Sequence, residues 1–261
     1  MRLFSLFPSL MFLALIVVSC TPETAQDPVP QAHLPGPAEE EDENEDPTEG
    51  EEELGDAPEV VKHLALADSY TIGESVPDSG DWPNQLTAAL ETLLPESQIE
   101  PARIIATTGW TTANLNAGMD AEQIDTSSFD LVSLLIGVNN QYQGLSLEAY
   151  EVEFEALLQR AVDLAGGQTN RVFVVSIPDY GYTPFGQPNQ ASISSELALF
   201  NASCSTLTAN AGIAHYNITP ISQQWPQSEN WVAPDGLHPS GAQYSAWVNS
   251  FADAVEMQLR D

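Results

Sequence analysis

The chain has 261 residues, of which 43% are apolar, enough for one folded domain of ordinary size with extra segments at its ends. Six Lys and Arg oppose 38 Asp and Glu, and the net charge of -32 repels phosphate backbones and argues against nucleic-acid binding. Lys62 is the only lysine and no glycine pattern precedes it, so a phosphate-binding loop ending in Gly-Lys-Ser/Thr is excluded.

The N-terminus has the pattern of a targeting segment. Arg2 precedes an apolar run from Leu3 to Val18, which is too short for a good membrane-spanning helix and is typical of a signal peptide. The run ends in Val-Val-Ser-Cys, which resembles a bacterial lipobox in which Cys20 would receive the lipid. We therefore predict a lipoprotein signal peptide over residues 1–19 and a lipid-anchored protein of the bacterial cell envelope. Thr21 after the cysteine favours the outer membrane by analogy, and an ordinary signal peptide is the alternative.

Residues 20–59 are predicted to form a disordered tether after the lipidated cysteine. Prolines crowd its first part, acidic residues dominate from Glu39 to Glu53, and it contains no Lys or Arg. Such a segment cannot bury enough apolar surface to fold by itself. If Cys20 carries lipid, Cys204 is left without a partner and is expected to be a packed core thiol.

From Val60 to the end, strand-like and helical patterns alternate, and we assign this region, 60–261, to one domain. Strands are predicted over 60–67, 102–106, 131–136, 172–177 and 213–218, and helices over 81–94, 147–164, 196–209 and 239–259. Alternation of this kind favours a parallel sheet covered on both faces. The expected fold is a three-layer α/β/α sandwich with a five-stranded parallel sheet, similar to flavodoxin in shape. Ligands bind such sheets beyond the carboxyl ends of the strands.

Four short motifs follow predicted strands or precede the last helix. Ser69 comes directly after the first strand, Gly109 follows the second, and Asn139 follows the third. Asp235 and His238 lie three apart, so the carboxylate can hold the imidazole tautomer and leave the other ring nitrogen free to accept a proton. Each motif by itself is also found as an ordinary turn or cap.

Together, the order and placement of these motifs resemble the four blocks of the SGNH (GDSL-type) hydrolases over the whole region from Val60 onward. The resemblance implies serine-dependent hydrolysis of carboxylic esters, with Ser69 as nucleophile, His238 as base and Asp235 as its partner. It also implies an oxyanion hole formed by Ser69, Gly109 and Asn139. Ala67 departs from the glycine that the family usually has at this position.

Three functions remain open at this point. The expected substrates are small acyl or lipid-like esters; removal of acetyl groups from a polysaccharide would use the same residues. A surface lipoprotein that binds a ligand without catalysis is the third.

No Gly-x-Ser-x-Gly elbow occurs, which argues against the α/β-hydrolase alternative. No His or Cys pair has metal-ligand spacing, and no metal, cofactor or protein partner is expected. Aromatic residues in loops are candidates for a substrate pocket: Tyr70, Trp110, Tyr142, Tyr180, Trp225 and Trp231.

Overall fold

A computed structural model describes residues 59–124 and 128–260 of the chain. The signal peptide, Cys20 and nearly all of the tether lie outside the described residues, and the predictions made for them stay predictions. The predicted domain boundaries likewise stay predictions.

Five parallel strands form the main sheet, and a shorter pair lies beside it. The main strands are β2 (His63–Asp68), β4 (Arg103–Thr107), β5 (Leu131–Leu135), β6 (Val172–Val175) and β7 (Ala214–Tyr216). Their order is β4-β2-β5-β6-β7, and β1 (Val60–Val61) pairs with β3 (Gln98–Ile99). Renumbered within the main sheet, the order is 2-1-3-4-5, that of flavodoxin. The predicted fold class is thereby confirmed.

Eight α-helices, besides four short 3-10 helices, lie in the described part of the chain. They are α1 (Ser69–Ile72), α2 (Trp82–Leu93), α3 (Thr112–Glu122), α4 (Val138–Tyr142), α5 (Leu147–Leu164), α6 (Gln190–Asn210), α7 (Thr219–Ser222) and α8 (Gly241–Arg260). Helix α2 packs against α8, and α5 packs against both α3 and α6, so two helical layers flank the sheet.

The central strands are mostly apolar, as expected of a sheet covered on both faces, with His63, Asp68 and Ser133 as their polar residues. Every residue of β2, β5 and β6 is buried. Aromatic side chains join the layers: Phe173 of β6 contacts Trp82 of α2 and Phe251 of α8, whereas Tyr150 of α5 contacts Phe200 of α6. Burial of these rings and aliphatic side chains is the main term that stabilises the fold.

Some element boundaries differ from those predicted. Helix α3 was not predicted, because Leu115 and Met119 are its main apolar contacts and the rest of its sequence has little helical periodicity. The last helix begins at Gly241 and not at Pro239. Pro239 instead pairs with Val232 in an antiparallel bridge, and the Ser240 hydroxyl accepts a hydrogen bond from the Gln243 N–H in the first turn of α8.

Candidate active site

Ser69 occupies the first position after the carboxyl end of β2. Strand β2 lies between β4 and β5, at the point where the strand order reverses and open α/β sheets bind their ligands. Asp68 caps the short helix α1, because its side chain accepts a hydrogen bond from the Tyr70 N–H at 3.0 Å. This cap turns the chain sharply at Ser69, whose hydroxyl is left at the mouth of the sheet.

The methyl group of Ala67, where the family usually has glycine, causes no visible crowding. Ala67 is fully buried in the core cluster, and its backbone pairs in register with Ala106 of β4 and Leu135 of β5. The departure from the family motif therefore leaves the strand that positions Ser69 intact.

Asp235 and His238 form a closely bonded pair in the loop before α8. Oδ2 of Asp235 lies 2.6 Å from Nδ1 of His238, and Oδ1 accepts hydrogen bonds from the Leu237 and His238 N–H groups at 2.9 and 3.0 Å. The carboxylate thereby holds the Nδ1–H tautomer and leaves Nε2 as the free acceptor.

The charge of Asp235 is well stabilised in this loop. Partial burial acts to raise its pKa, but hydrogen bonds from the His238 ring, from the backbone N–H groups of Leu237 and His238, and from Ser75 outweigh burial and lower the pKa to about 2. Asp235 is therefore ionised at neutral pH and can stabilise a positively charged imidazole.

Tyr70 supports the imidazole from the nucleophile side. Its ring centroid lies 5.2 Å from that of His238, and the two planes are inclined by 54°. Tyr70 is itself buried. Because Tyr70 immediately follows Ser69, this contact ties the nucleophile turn to the loop that carries the base.

Gly109 lies in the loop after β4 with a φ of +84°, a conformation that favours glycine. Its carbonyl accepts a hydrogen bond from Nε2 of Gln143 at 3.2 Å, which fixes the peptide from the side of α4. Among the described residues its own N–H has no backbone acceptor. This N–H is therefore available to a ligand.

Asn139 is held near the start of α4, directly after the carboxyl end of β5. Gly137 at the turn has a φ of +129°, and a Cβ there would lie 2.7 Å from the Tyr150 ring, so only glycine fits. Nδ2 of Asn139 donates to the Trp110 carbonyl at 3.0 Å and to Oδ2 of Asp68 at the longer distance of 3.4 Å. Burial raises the pKa of Asp68 to about 7, although the hydrogen bonds from Tyr70 and Asn139 act to lower it.

A cavity of about 320 Å³ lies over these groups. It is lined by Ser69, Gly109, Asn139 and His238, and Asp235 lies behind the His238 ring. The structure thus brings all five predicted site residues to one place. Ser69 and His238 make no hydrogen bond with one another in the described chain, and such bonds commonly tighten only when substrate is bound.

The aromatic candidates separate into two groups. Tyr70, Tyr142 and Tyr180 line the cavity, whereas Trp110, Trp225 and Trp231 do not. Trp231 instead donates its indole N–H to the Ile221 carbonyl at 2.8 Å. The remaining lining residues were not singled out from sequence: Thr108, Val138, Phe185 and Leu237. All four follow the carboxyl ends of strands or flank His238, so their position was the only signal.

The other described histidines take no part in the cavity. His63 is buried in β2, with Nε2 at 2.8 Å from the Ser133 hydroxyl, and burial lowers its pKa to about 3. His215 lies in β7, where burial also lowers its pKa.

Within residues 59–124 and 128–260 no cluster of His, Cys, Asp or Glu is arranged to hold a metal ion. None of the helices in these ranges is long and apolar enough to cross a membrane.

Comparison with known proteins supports the same reading of the fold. The model of the GDSL-like lipase/acylhydrolase family matches residues 68–246, and no curated protein matches the chain. The fold also matches 122 chains of solved structures, including the following three.

The first is TesA, with 16% identity and a TM-score of 0.57, over 76% of this chain and 99% of TesA. The second is the psychrotrophic esterase EstA from Pseudoalteromonas sp., with 15% identity and a TM-score of 0.57, over 77% of this chain and 99% of EstA. The third is Axe2, an acetylxylan esterase from Geobacillus stearothermophilus, with 18% identity and a TM-score of 0.58, over 76% of this chain and 95% of Axe2. At this level of identity the likeness establishes the shared fold. Because the family model spans more than half of the sequence and includes Ser69, Gly109, Asn139 and His238, the chain belongs to the GDSL-like lipase/acylhydrolase family of SGNH hydrolases.

Proposed function

We propose that the protein hydrolyses carboxylic esters, with Ser69, His238 and Asp235 as its catalytic triad. One observation carries the proposal. Ser69 and His238 line the same cavity, and the carboxylate of Asp235 lies 2.6 Å from the far nitrogen of the His238 ring. The Asp235–His238 pair orients the imidazole as a base, and the shared cavity puts it on the same side of the sheet as the serine hydroxyl that it would activate.

In the first half of the reaction, the Ser69 hydroxyl attacks the ester carbonyl while Nε2 of His238 takes its proton. Asp235 stabilises the imidazolium that results. When the tetrahedral intermediate collapses, the bond to the alcohol breaks, and His238 returns the proton to the departing oxygen. The product of this half is an acyl group on Ser69 and a free alcohol.

In the second half, His238 takes a proton from water, and the hydroxide attacks the acyl group on Ser69. Collapse of the second intermediate releases the carboxylic acid and restores the serine hydroxyl. No metal enters this scheme, because the imidazole and the oxyanion donors supply both proton transfer and charge stabilisation.

The proposed oxyanion hole consists of the N–H groups of Ser69 and Gly109 and the side chain of Asn139. The Asn139 amide donates one proton to the Trp110 carbonyl, so its second proton, held only by the long 3.4 Å contact with Asp68, is the one available to the oxyanion. Loss of one such donor typically lowers kcat by about 10² to 10³.

Hydrolysis of p-nitrophenyl butyrate by the purified protein, without added metal, tests the proposal. Ser69→Ala should abolish turnover and labelling by a fluorophosphonate, and His238→Ala should nearly abolish turnover. Ser195→Ala, an exposed serine on α6, is the matched control and should change neither.

A panel that adds other simple esters and acetylated oligosaccharides to this assay separates the other two functions. Turnover of acetylated oligosaccharides in preference to simple esters would identify a polysaccharide deacetylase with the same machinery. A protein that is inert on every ester, with Ser69 unreactive towards the fluorophosphonate, would instead be a binding protein on a hydrolase fold, and the proposal would be wrong.

A further inference from the structure

Three aromatic rings form one side of the cavity, and we call them the aromatic wall: Tyr142, Tyr180 and Phe185. The ring centroid of Tyr142 lies 6.3 Å from that of Tyr180 and 6.2 Å from that of Phe185, and the centroids of Tyr180 and Phe185 are 6.3 Å apart. Each ring therefore contacts both others. Such triangular packing holds the apolar faces in one place at little cost in side-chain entropy.

The aromatic wall is anchored to both halves of the proposed machinery. Tyr142 lies on α4, three residues after Asn139. The Phe185 N–H donates to the Gly236 carbonyl at 2.9 Å, within the loop that carries His238. The wall thus extends from the oxyanion side of the cavity to the side of the base, next to where a substrate must lie.

Tyr180 is the rigid member of the wall. It is buried, and its hydroxyl donates to Oε1 of Gln141 at 2.8 Å, while Nε2 of Gln141 donates to Glu196 at 2.7 Å. Its polar end therefore points into a hydrogen-bond network, and its ring remains as cavity surface.

Tyr142 and Phe185 are exposed to an extent that core packing does not explain. Their exposed fractions are 59% and 49%, and both line the cavity. Single exposed apolar side chains are common, but adjacent ones around a concave surface mark a ligand site.

The cavity lining offers few side-chain groups that could form hydrogen bonds with a sugar. The Thr108 hydroxyl donates to Glu74, the Tyr180 hydroxyl donates to Gln141, and the Tyr70 hydroxyl is fully buried. Apart from the proposed catalytic and oxyanion groups, the Tyr142 hydroxyl is the only side-chain donor of the lining that is not already engaged or buried among the described residues. Several hydroxyls of a bound sugar would lose water without gaining a hydrogen bond, which is costly.

The lining also contains no Lys or Arg, in a chain whose net charge is -32. An anionic substrate would find no partner for its charge there and would be repelled by the surrounding acidic residues.

We infer that the aromatic wall binds an apolar group of the ester, in either the acyl or the alcohol part, and selects uncharged apolar esters over sugar acetates and anionic esters. This inference rests on the proposed ester hydrolysis. The cavity volume of about 320 Å³ is at the lower end for ligand sites, which suits a compact group and not a polymer chain.

Two substrate series test the inference and identify the part of the ester that is bound. The acyl series is p-nitrophenyl acetate, butyrate and hexanoate, and the alcohol series is ethyl, butyl and hexyl acetate. Each methylene buried against the wall should raise kcat/KM by roughly fourfold, until the cavity is full. The series that shows this dependence contains the bound group. The mono-p-nitrophenyl ester of succinate, matched in length to the butyrate, should react at least about tenfold more slowly than the butyrate.

Substitution of the wall residues tests whether the preference arises there. In Tyr142→Ala and Phe185→Ala, the ratio of kcat/KM for the longest to the shortest ester should fall by about fivefold or more, roughly the loss of one or two buried methylenes. Leu199→Ala removes a side chain of similar exposure, 60%, from α6 outside the cavity. It should leave the ratio unchanged. Both wall side chains are about half exposed, so the variants are expected to fold, which circular dichroism checks.

The outcomes separate this inference from the proposed function. An active enzyme whose rates are independent of chain length in both series, or whose ratio is unaffected by both wall substitutions, would overturn the inference alone. Faster turnover of acetylated xylo-oligosaccharides than of any apolar ester would also overturn it, in favour of a sugar-binding wall. A protein inert on all esters, with Ser69 unlabelled by a fluorophosphonate, would overturn the proposed function as well.

Discussion

Acidification from about pH 7.5 to about pH 5 should destabilise the protein relative to variants that lack His63. The side chain is buried within β2, where it contacts the Ser133 hydroxyl and packs between the rings of Trp82 and Phe173. Its Nδ1 is buried without a hydrogen-bond partner. Burial lowers the pKa of His63 from 6.5 to about 3, so the imidazole stays neutral in the folded protein while the unfolded chain becomes protonated.

The sign and size of the effect follow from linkage. A group that binds protons more tightly in the unfolded state removes stability as the pH falls from 6.5 towards 3. Each pH unit in that interval contributes about 1.36 kcal/mol, so the loss at about pH 5 is about 2 kcal/mol. Asp68 acts in the opposite direction, because its pKa is raised to about 7 and the folded state then binds the extra proton. The wild-type curve therefore mixes both effects.

Comparison with His63→Leu and His63→Gln isolates the histidine. Neither replacement titrates, although they differ in polarity and in absolute stability. Urea unfolding at the two pH values should show the wild type losing about 2 kcal/mol relative to each variant on acidification. If both differences stay constant within about 0.5 kcal/mol, the neutral buried imidazole inferred from the structure is refuted.

Three further predictions concern the site and the membrane anchor. Gln143→Leu removes the exposed hydrogen bond to the Gly109 carbonyl and should lower kcat by roughly threefold to tenfold with little change in KM, since one such bond contributes about 1 kcal/mol. An equal rise in KM in steady-state kinetics would contradict a role in the oxyanion loop. Tyr70→Phe removes a buried hydroxyl that has no hydrogen-bond partner and keeps the ring against His238, so urea unfolding should show unchanged or greater stability. A loss of more than about 1 kcal/mol in the free energy of unfolding would contradict this. Cys20→Ala should abolish incorporation of labelled palmitate and move the protein from the membrane fraction to the soluble fraction, because stable anchoring requires acyl chains. Unchanged membrane association would argue against the lipobox interpretation.

Much of the proposed site was predictable from local sequence. A residue within a few positions after a parallel strand lies at the carboxyl edge of the sheet, and this rule places Ser69, Gly109 and Asn139 near one another. Asp235 and His238 are three residues apart, so their hydrogen bond is a local feature of one loop. These positions depend on strand periodicity and short spacing, which the sequence displays directly.

Contacts between distant segments were not predictable in the same way. The aromatic wall combines Phe185, from a loop after β6, with Tyr142 of α4, and neither segment specifies its neighbour. Helix α3 has weak periodicity and is stabilised mainly by its packing against β4 and α5. Tertiary burial outweighs local propensity in such elements.

The amino-acid sequence by itself determined the strand and helix alternation and the parallel sheet, because both depend on periodicity within one segment. The five residues of the proposed catalytic centre followed from the resemblance of their motifs to the SGNH hydrolases. Only the tertiary structure decided which aromatic side chains face the cavity. It also decided that the Asn139 amide donates hydrogen bonds to Trp110 and Asp68, and that the imidazole of His63 is buried in its neutral form. The physical reason is that exposure and hydrogen-bond partners belong to the packed assembly, in which residues far apart in the chain compete for the same space and the same donors.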